Sequence, residues 1–164
     1  MSAYKIATIY LFLLVSACHF VVNKTDISDM ENDISIEVKM PASANFNSEA
    51  KVTRIFSETI GGIKQCHENC KYHLTVKITY NTTQSGISSE GFYASSTISV
   101  TANYVLFKNE NGKRIKILDG NETDNGTFLN SMTKMLSEYT IEASTFESIV
   151  KSIANKISND ILQM

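Results

Sequence analysis

Along this chain of 164 residues, apolar positions alternate, then recur at three and four, then alternate again. From Asp33 to Pro41, Ile34, Ile36, Val38 and Met40 fall on one side and Ser35, Glu37 and Lys39 on the other. That period belongs to a half-buried strand, and Pro41 ends it. From Asn47 to Ile63 the period lengthens, with Val52, Ile55, Phe56, Ile60 and Ile63 at helical spacing. Asn47 or Ser48 can cap that helix, and Gly61-Gly62 weaken its end. Tyr72, Leu74, Val76, Ile78 and Tyr80 then alternate with His73, Thr75, Lys77, Thr79 and Asn81, the clearest strand in the chain. The segment "TQSGISSEG" predicts a turn. It leads into a long strand from Phe92 to Lys108, with Ile98, Val100, Ala102, Tyr104 and Leu106 on one face. "NENGK" predicts a hairpin turn, with Gly112 free to take positive φ. "RIKILDGNETDNG" continues as a strand that frays into a polar loop. From around Thr133 to Leu162, Ala143, Phe146, Val150, Ile153, Ile157 and Ile161 form one helical stripe of the kind that packs on a core.

The order is strand, helix, three strands, helix. It predicts an α+β two-layer sandwich: a four-stranded mixed sheet with two helices on one face, β-α-β-β-β-α. The apolar strand faces meet the helices. The opposite face is rich in Thr, Ser, Asn and Lys. Such a face suits open solvent, and it also suits the polar interior of an outer-membrane barrel.

The N-terminus changes the picture. The apolar run from Ile6 to Ala17 is far shorter than the roughly 20 residues of a membrane-spanning helix. Lys5, the apolar run and Ser16-Ala17 have the layout of a secretory signal. Val15-Ser16-Ala17-Cys18 looks like a bacterial lipobox, with cleavage before Cys18 and lipid on its thiol. The plainer alternative is an ordinary signal with a chance cysteine. Each buried CH₂ of an acyl chain contributes about 0.8 kcal/mol, so several chains at one site anchor firmly. Residues 1–17 are therefore expected to be the signal, 18–32 the lipidated N-terminus and tether, and 33–164 the domain. His19 stands after Cys18, where the sorting rule of enteric bacteria would have Asp for retention at the inner membrane. This favours the outer membrane, on its periplasmic side.

Removing the signal leaves 147 residues, enough for one domain with a core, and 14 basic against 17 acidic side chains. That balance gives no support for general nucleic-acid binding. Four sequons, at Asn23, Asn81, Asn121 and Asn125, would suit a eukaryotic secreted glycoprotein. In a chain this rich in Asn and Thr they arise readily by chance. Beyond Cys18, the cysteines are Cys66 and Cys70 in "QCHENCKYH". Export favours a disulfide between them that closes a tight loop. The alternative is a metal site drawn from Cys66, His67, Cys70 and His73. Adjacent ligands such as Cys66-His67 rarely share one tetrahedral ion, and the chain has no second ligand cluster, so no metal is expected. No GxSxG, Walker, HExxH or GxGxxG motif is present, and neither enzymatic activity nor a cofactor is expected.

Lipobox, domain size, element order and C-terminal half together resemble the LPS-assembly lipoprotein family LptE. "KYHLTVKITYNTTQ" is similar to that family's tyrosine-bearing central strand. "STISVTANYVLFKNENGKRIKIL" is similar to its long hairpin. "EASTFESIVKSIANKISNDIL" is similar to its closing helix. The resemblance implies a non-catalytic protein that plugs an LptD-like outer-membrane β-barrel, supports its assembly and binds lipopolysaccharide on its way to the surface. Many family members carry an Arg near the start of the long hairpin, where this chain reads "YASSTISV" without a basic residue. Phosphate contact then falls to Lys113, Arg114 and Lys116 on the far strand of the hairpin, which can equally be solvated turn charges. Two other functions compete. One is an outer-membrane lipoprotein of another class, such as an adhesin or scaffold that only binds proteins. The other is the glycoprotein, with N-glycans and no acyl chain at Cys18.

Overall fold

A computed structural model of the chain describes residues 33–41, 49–60, 66, 70–87, 93–129 and 135–164. The expected signal, Cys18 and the tether lie outside the described residues, as do Asn47, Ser48, Ile63 and His67. The elements are β1 (Ile34–Lys39), α1 (Glu49–Thr59), β2 (Tyr72–Ile87), β3 (Tyr93–Glu110), β4 (Lys113–Leu129) and α2 (Met135–Leu162). They form the expected α+β sandwich in the expected order.

The sheet runs β1-β2-β3-β4. β1 lies parallel to β2, from Ile34 opposite Tyr72 to Lys39 opposite Lys77. A parallel pair needs a crossover long enough to bring the chain back, and α1 lies within it. β2, β3 and β4 pair antiparallel, so the sheet is mixed. The β3–β4 turn places Asn111 at φ 50° and Gly112 at φ 77°. Positive φ at both central residues is the requirement of a two-residue hairpin loop, and Asn-Gly meets it with little strain.

Burial follows the alternation. Leu74, Val76 and Ile78 of β2, and Ile98, Val100, Ala102, Tyr104 and Leu106 of β3, are buried. They meet Val52 and Phe56 of α1 and Phe146, Val150, Ile153 and Ile157 of α2 in one core. Fully burying a side chain such as Ile153 contributes about 1.5–3 kcal/mol. Ile149 and Ala154 extend the α2 stripe beyond the expected residues, whereas Ala143 is half-buried. The Tyr80 and Phe146 rings meet edge to face at 5.6 Å. Lys51 and Glu147 pair across the two helices.

Two expectations need correction. The predicted turn from Thr83 to Gly91 begins late, because β2 continues to Ile87, paired with β3 down to Tyr93. The hydroxyl and amide side chains there read as a loop, yet backbone pairing with β3 holds them extended. The predicted polar loop after Leu118 is strand as far as Leu129. Its core-side positions are Gly120, Glu122, Asp124 and Gly126, opposite Tyr104, Ala102, Val100 and Ile98 of β3. No apolar alternation marks such a strand, because α2 covers it by close approach and polar contact.

The two glycines carry that approach. A Cβ on Gly120 would stand 2.6 Å from Cζ of Tyr104, and one on Gly126 would stand 2.6 Å from Cγ2 of Thr145. The Tyr104 hydroxyl donates to Asp160 of α2 across the space Gly120 leaves open. Burial and the Asp160 carboxylate hold that phenol well above its usual range. Gly120→Ala should therefore lower stability by about 1–3 kcal/mol, the usual cost of overpacking. In a Tyr104→Ala background the same substitution should cost much less. Urea unfolding of both single variants and the double variant checks this, and additive losses would disprove the clash.

Candidate functional site

Strand register assigns the odd-numbered residues of β2 from His73 to Ser85 and of β3 from Ser95 to Asn109 to the face away from the helices. Residues from three strands line up there in rows: Thr79, Thr101 and Thr123; Asn81, Ser99 and Asn125; Thr83, Thr97 and Thr127. Cross-strand bonds tie the rows together. Thr97 and Thr127 hydroxyls lie 2.9 Å apart, and Thr101 and Thr123 hydroxyls 3.0 Å. Asn121 Nδ2 donates to Asn103 Oδ1 at 2.7 Å, and the Ser85 and Ser95 hydroxyls meet at 3.0 Å. This is a hydroxyl and amide surface with no ionisable group in these rows. Short side chains with cross-strand partners keep it low in relief and conformationally restrained.

Charge gathers toward the β1 side and the β3–β4 turn. His73 sits between Ser35 and Glu37, with its Nδ1 against the Ser35 hydroxyl and its Nε2 3.4 Å from Glu37 Oε2. Glu37 also pairs with Lys39 at 3.2 Å, and Lys39 followed by His73 holds its carboxyl below the usual range. Near the turn, a register shift between Leu106 and Phe107 marks a bulge in the β3–β4 ladder. Ile117 and Leu118 consequently both pack on the core, though they are successive. An extra residue of this kind resets the alternation of the strand. Lys116 then lies opposite Phe107 and pairs with Asp119 at 3.1 Å.

The three cations singled out in the sequence, Lys113, Arg114 and Lys116, are all exposed on β4. Arg114 and Lys116 share the open face by alternation, and Lys113 lies on the other side. Cys66 and Cys70 form a disulfide with Cα atoms 5.6 Å apart. Asn109 Nδ2 donates to the Cys70 carbonyl at 2.6 Å, which docks this link onto β3 beside the hairpin. Sulfurs bonded to each other are not available as thiolate ligands, and among the described residues no His, Cys, Asp and Glu cluster has metal-site geometry.

Two open grooves flank α2. One, of about 560 Å³, lies against α1 and includes Ile55, Glu58, Glu147 and Lys151. The other, of about 460 Å³, lies along β4 and includes Asp124, Asn125, Ser144, Ser148 and Ser152. Among the described residues, neither has a histidine or cysteine in its wall. The β4 groove is held together by Asp124, which accepts a bond from Ser152 and lies 3.6 Å from Lys156 Nζ. Ser152, the Asn125 backbone N–H and Lys156 lower the Asp124 carboxyl below its usual range. Sequence reading missed Asp124, because its signal was hidden in the apparent loop "DGNETDNG".

No protein-family model matches the chain, and no curated protein matches it. Solved structures do. A candidate lipoprotein of Caulobacter crescentus superposes with a TM-score of 0.56 at 11% identity, covering 86% of this chain and 96% of that one. The hypothetical protein CT253 of Chlamydia trachomatis gives a TM-score of 0.53 at 10% identity, covering 80% and 96%. Identities this low speak for the fold alone, and the chain shares the architecture of both. Rare lipoprotein B of Shewanella oneidensis, at a TM-score of 0.47, 14% identity and coverage of 80% and 92%, overlaps too loosely to bear on it.

Asp124 gives a pH prediction. Its folded-state carboxyl is held below the ordinary aspartate value of 3.8, so the stabilisation is present above that value and is lost as pH falls through the lowered folded one. Asp124→Asn should cost about 1 kcal/mol at neutral pH and progressively less as the medium is acidified toward about pH 3. Urea unfolding across that range measures it, and a pH-independent difference would rule out the carboxylate charge as the cause. The disulfide gives a second prediction. Without reductant, Cys66 and Cys70 should resist alkylation in the exported protein, and two alkylated thiols would show the bond absent. Its five-residue loop limits the stabilisation to about 2 kcal/mol.

Proposed function

We propose that this chain is an outer-membrane lipoprotein, acylated at Cys18 and lying on the periplasmic side, that seats in an LptD-like β-barrel. In this reading it plugs the barrel, supports its assembly and helps deliver lipopolysaccharide to the cell surface. It carries out no catalysis and needs no cofactor. The observation that supports the reading best is the restrained, uncharged hydroxyl and amide face from Thr79 to Thr127. The lumen wall of an outer-membrane barrel is polar, and such a face can exchange hydrogen bonds with it without burying an unpaired charge. The architecture shared with the Caulobacter candidate lipoprotein supports the same reading. Arg114 and Lys116, with Lys113 behind them, are the cations proposed to meet lipopolysaccharide phosphates.

Gentle detergent extraction of the tagged full-length protein, with mass identification of what co-purifies, tests the partner. A near-stoichiometric large β-barrel is expected. Recovery of the lipidated protein alone would reduce the role to a lipoprotein scaffold without transport. Changing Lys113, Arg114 and Lys116 together to Glu should weaken lipopolysaccharide binding at least tenfold and leave the unfolding midpoint within error. Unchanged affinity would discard that cluster.

A further inference from the structure

The two ends of the sheet differ in charge. At the β3–β4 turn, Lys113 and Arg114 project to opposite sides of β4, and among the described residues neither has an ion-pair partner. Lys108, Lys71 and Lys116 stand within a few positions of them, Lys108 joined to Glu110 and Lys71 set over the Tyr72 ring. Among the described residues of the sheet from the level of Lys116 to the turn, Asp33 and Glu110 are the carboxylates against these five cations, so this end is positive on a chain whose net charge is −2, while Glu37 and Asp119 lie further in, level with Val105. At the far end, through Ser85, Ser95 and Leu129 to Ile87, the described strand residues carry no charged side chain.

Exposed apolar side chains accompany these cations. Ile115, beside Arg114, is 46% exposed. α2 runs toward the same end, since Phe146 meets Tyr80 and Asp160 meets Tyr104 further toward the turn. Its last residues, Leu162 and Met164, are 47% and 54% exposed.

The chain leading from Cys18 arrives here too. The Asp33 carbonyl accepts from Tyr72 N–H at 2.9 Å, and the Lys71 carbonyl accepts from Asn109 N–H at 2.7 Å. The first described residue therefore lies one strand away from the end of the hairpin. Residues 19–32 can span at most about 50 Å. β3, with 18 residues, is itself about 60 Å long. A tether of that reach, attached at the basic end, keeps that end closer to the lipid than the uncharged one.

We propose that the hairpin end of the sandwich rests on the phospholipid headgroup surface of the membrane that holds Cys18. Lys113 and Arg114 contact lipid phosphates, and Ile115 enters the interfacial layer beside them. Arg suits this role because its planar donor fork matches phosphate oxygens. The anchor supplies a high effective concentration, so contacts too weak to recruit a free protein still orient a tethered one. The proposal rests on acylation at Cys18 alone, and not on a barrel partner or on lipopolysaccharide transport.

The test uses the mature protein reconstituted in vesicles of phosphatidylcholine, with or without phosphatidylglycerol. Lysine acetylation is quantified by mass spectrometry. Lys113 should become several-fold less reactive with phosphatidylglycerol present, while Lys151 on α2 stays unchanged. Arg114→Glu should restore most of the Lys113 reactivity. Equal Lys113 reactivity in both vesicles overturns the proposal. So does protection that appears with added lipopolysaccharide and not with phosphatidylglycerol, which would assign these cations to the transported lipid. The mass of the N-terminal peptide reports acylation in the same sample. A missing acyl group sinks the underlying reading, whereas an acylated protein with a reactive Lys113 sinks this proposal only.

Discussion

The close approach of α2 to the inner face of β3 and β4 governs the rest of the structure. Gly120 and Gly126 remove side chains where Tyr104, Thr145 and Ile149 must fit. Tyr104 then reaches Asp160, and Asp124 reaches Ser152 and Lys156. A strand with glycines and acids on its core side would be weak alone, since Gly loses more entropy on ordering and offers nothing to pack. Beneath α2 those same residues become the contact. Dispersion and apolar burial along Phe146, Val150, Ile153 and Ile157 supply the attraction. The glycines set how near the helix can come.

That arrangement leaves the opposite face free. Both helices contribute to one core, so no described helix covers the second face of the sheet. Its side chains are short and bonded across strands, which lowers the entropy lost if a partner covers them. Charge is displaced to the β1 side and to the hairpin. A polar partner could therefore cover the Thr, Ser and Asn rows without stripping water from an unpaired ion, while the hairpin keeps cations at one extremity. The proposed barrel contact uses a different part of the molecule from the proposed membrane contact, whereas phospholipid and lipopolysaccharide phosphates would compete for Lys113 and Arg114.

Local pattern carried much of this. Alternation from Ile34 to Val38, from Tyr72 to Tyr80 and from Ile98 to Leu106 identified the inner strand faces, because burial on one side imposes a period of two. Asn111-Gly112 identified the hairpin, because few dipeptides accept positive φ twice. The second halves of β2 and β4 were not legible. From Asn81 to Ile87 β2 is exposed on both faces, so no apolar residue marks its period. In β4 the covering helix is contacted through Asp124 and Gly126, and Gly120 makes room for Tyr104 to reach it, and all three read locally as turn residues.

The sequence by itself determined the element order, the apolar faces and the hairpin, since each depends on neighbours a few residues apart. It also places Cys18 in a lipobox-like motif and Cys66 near Cys70. Only the tertiary structure decided that "DGNETDNG" is a strand, that Tyr104 needs a glycine opposite it, and that three strands bring their Thr and Asn residues into common rows. It also set Arg114 and Lys116 on one side and Lys113 on the other. These depend on register, on a bulge and on a helix dozens of residues away, and pairing of distant backbone leaves no period in the local sequence.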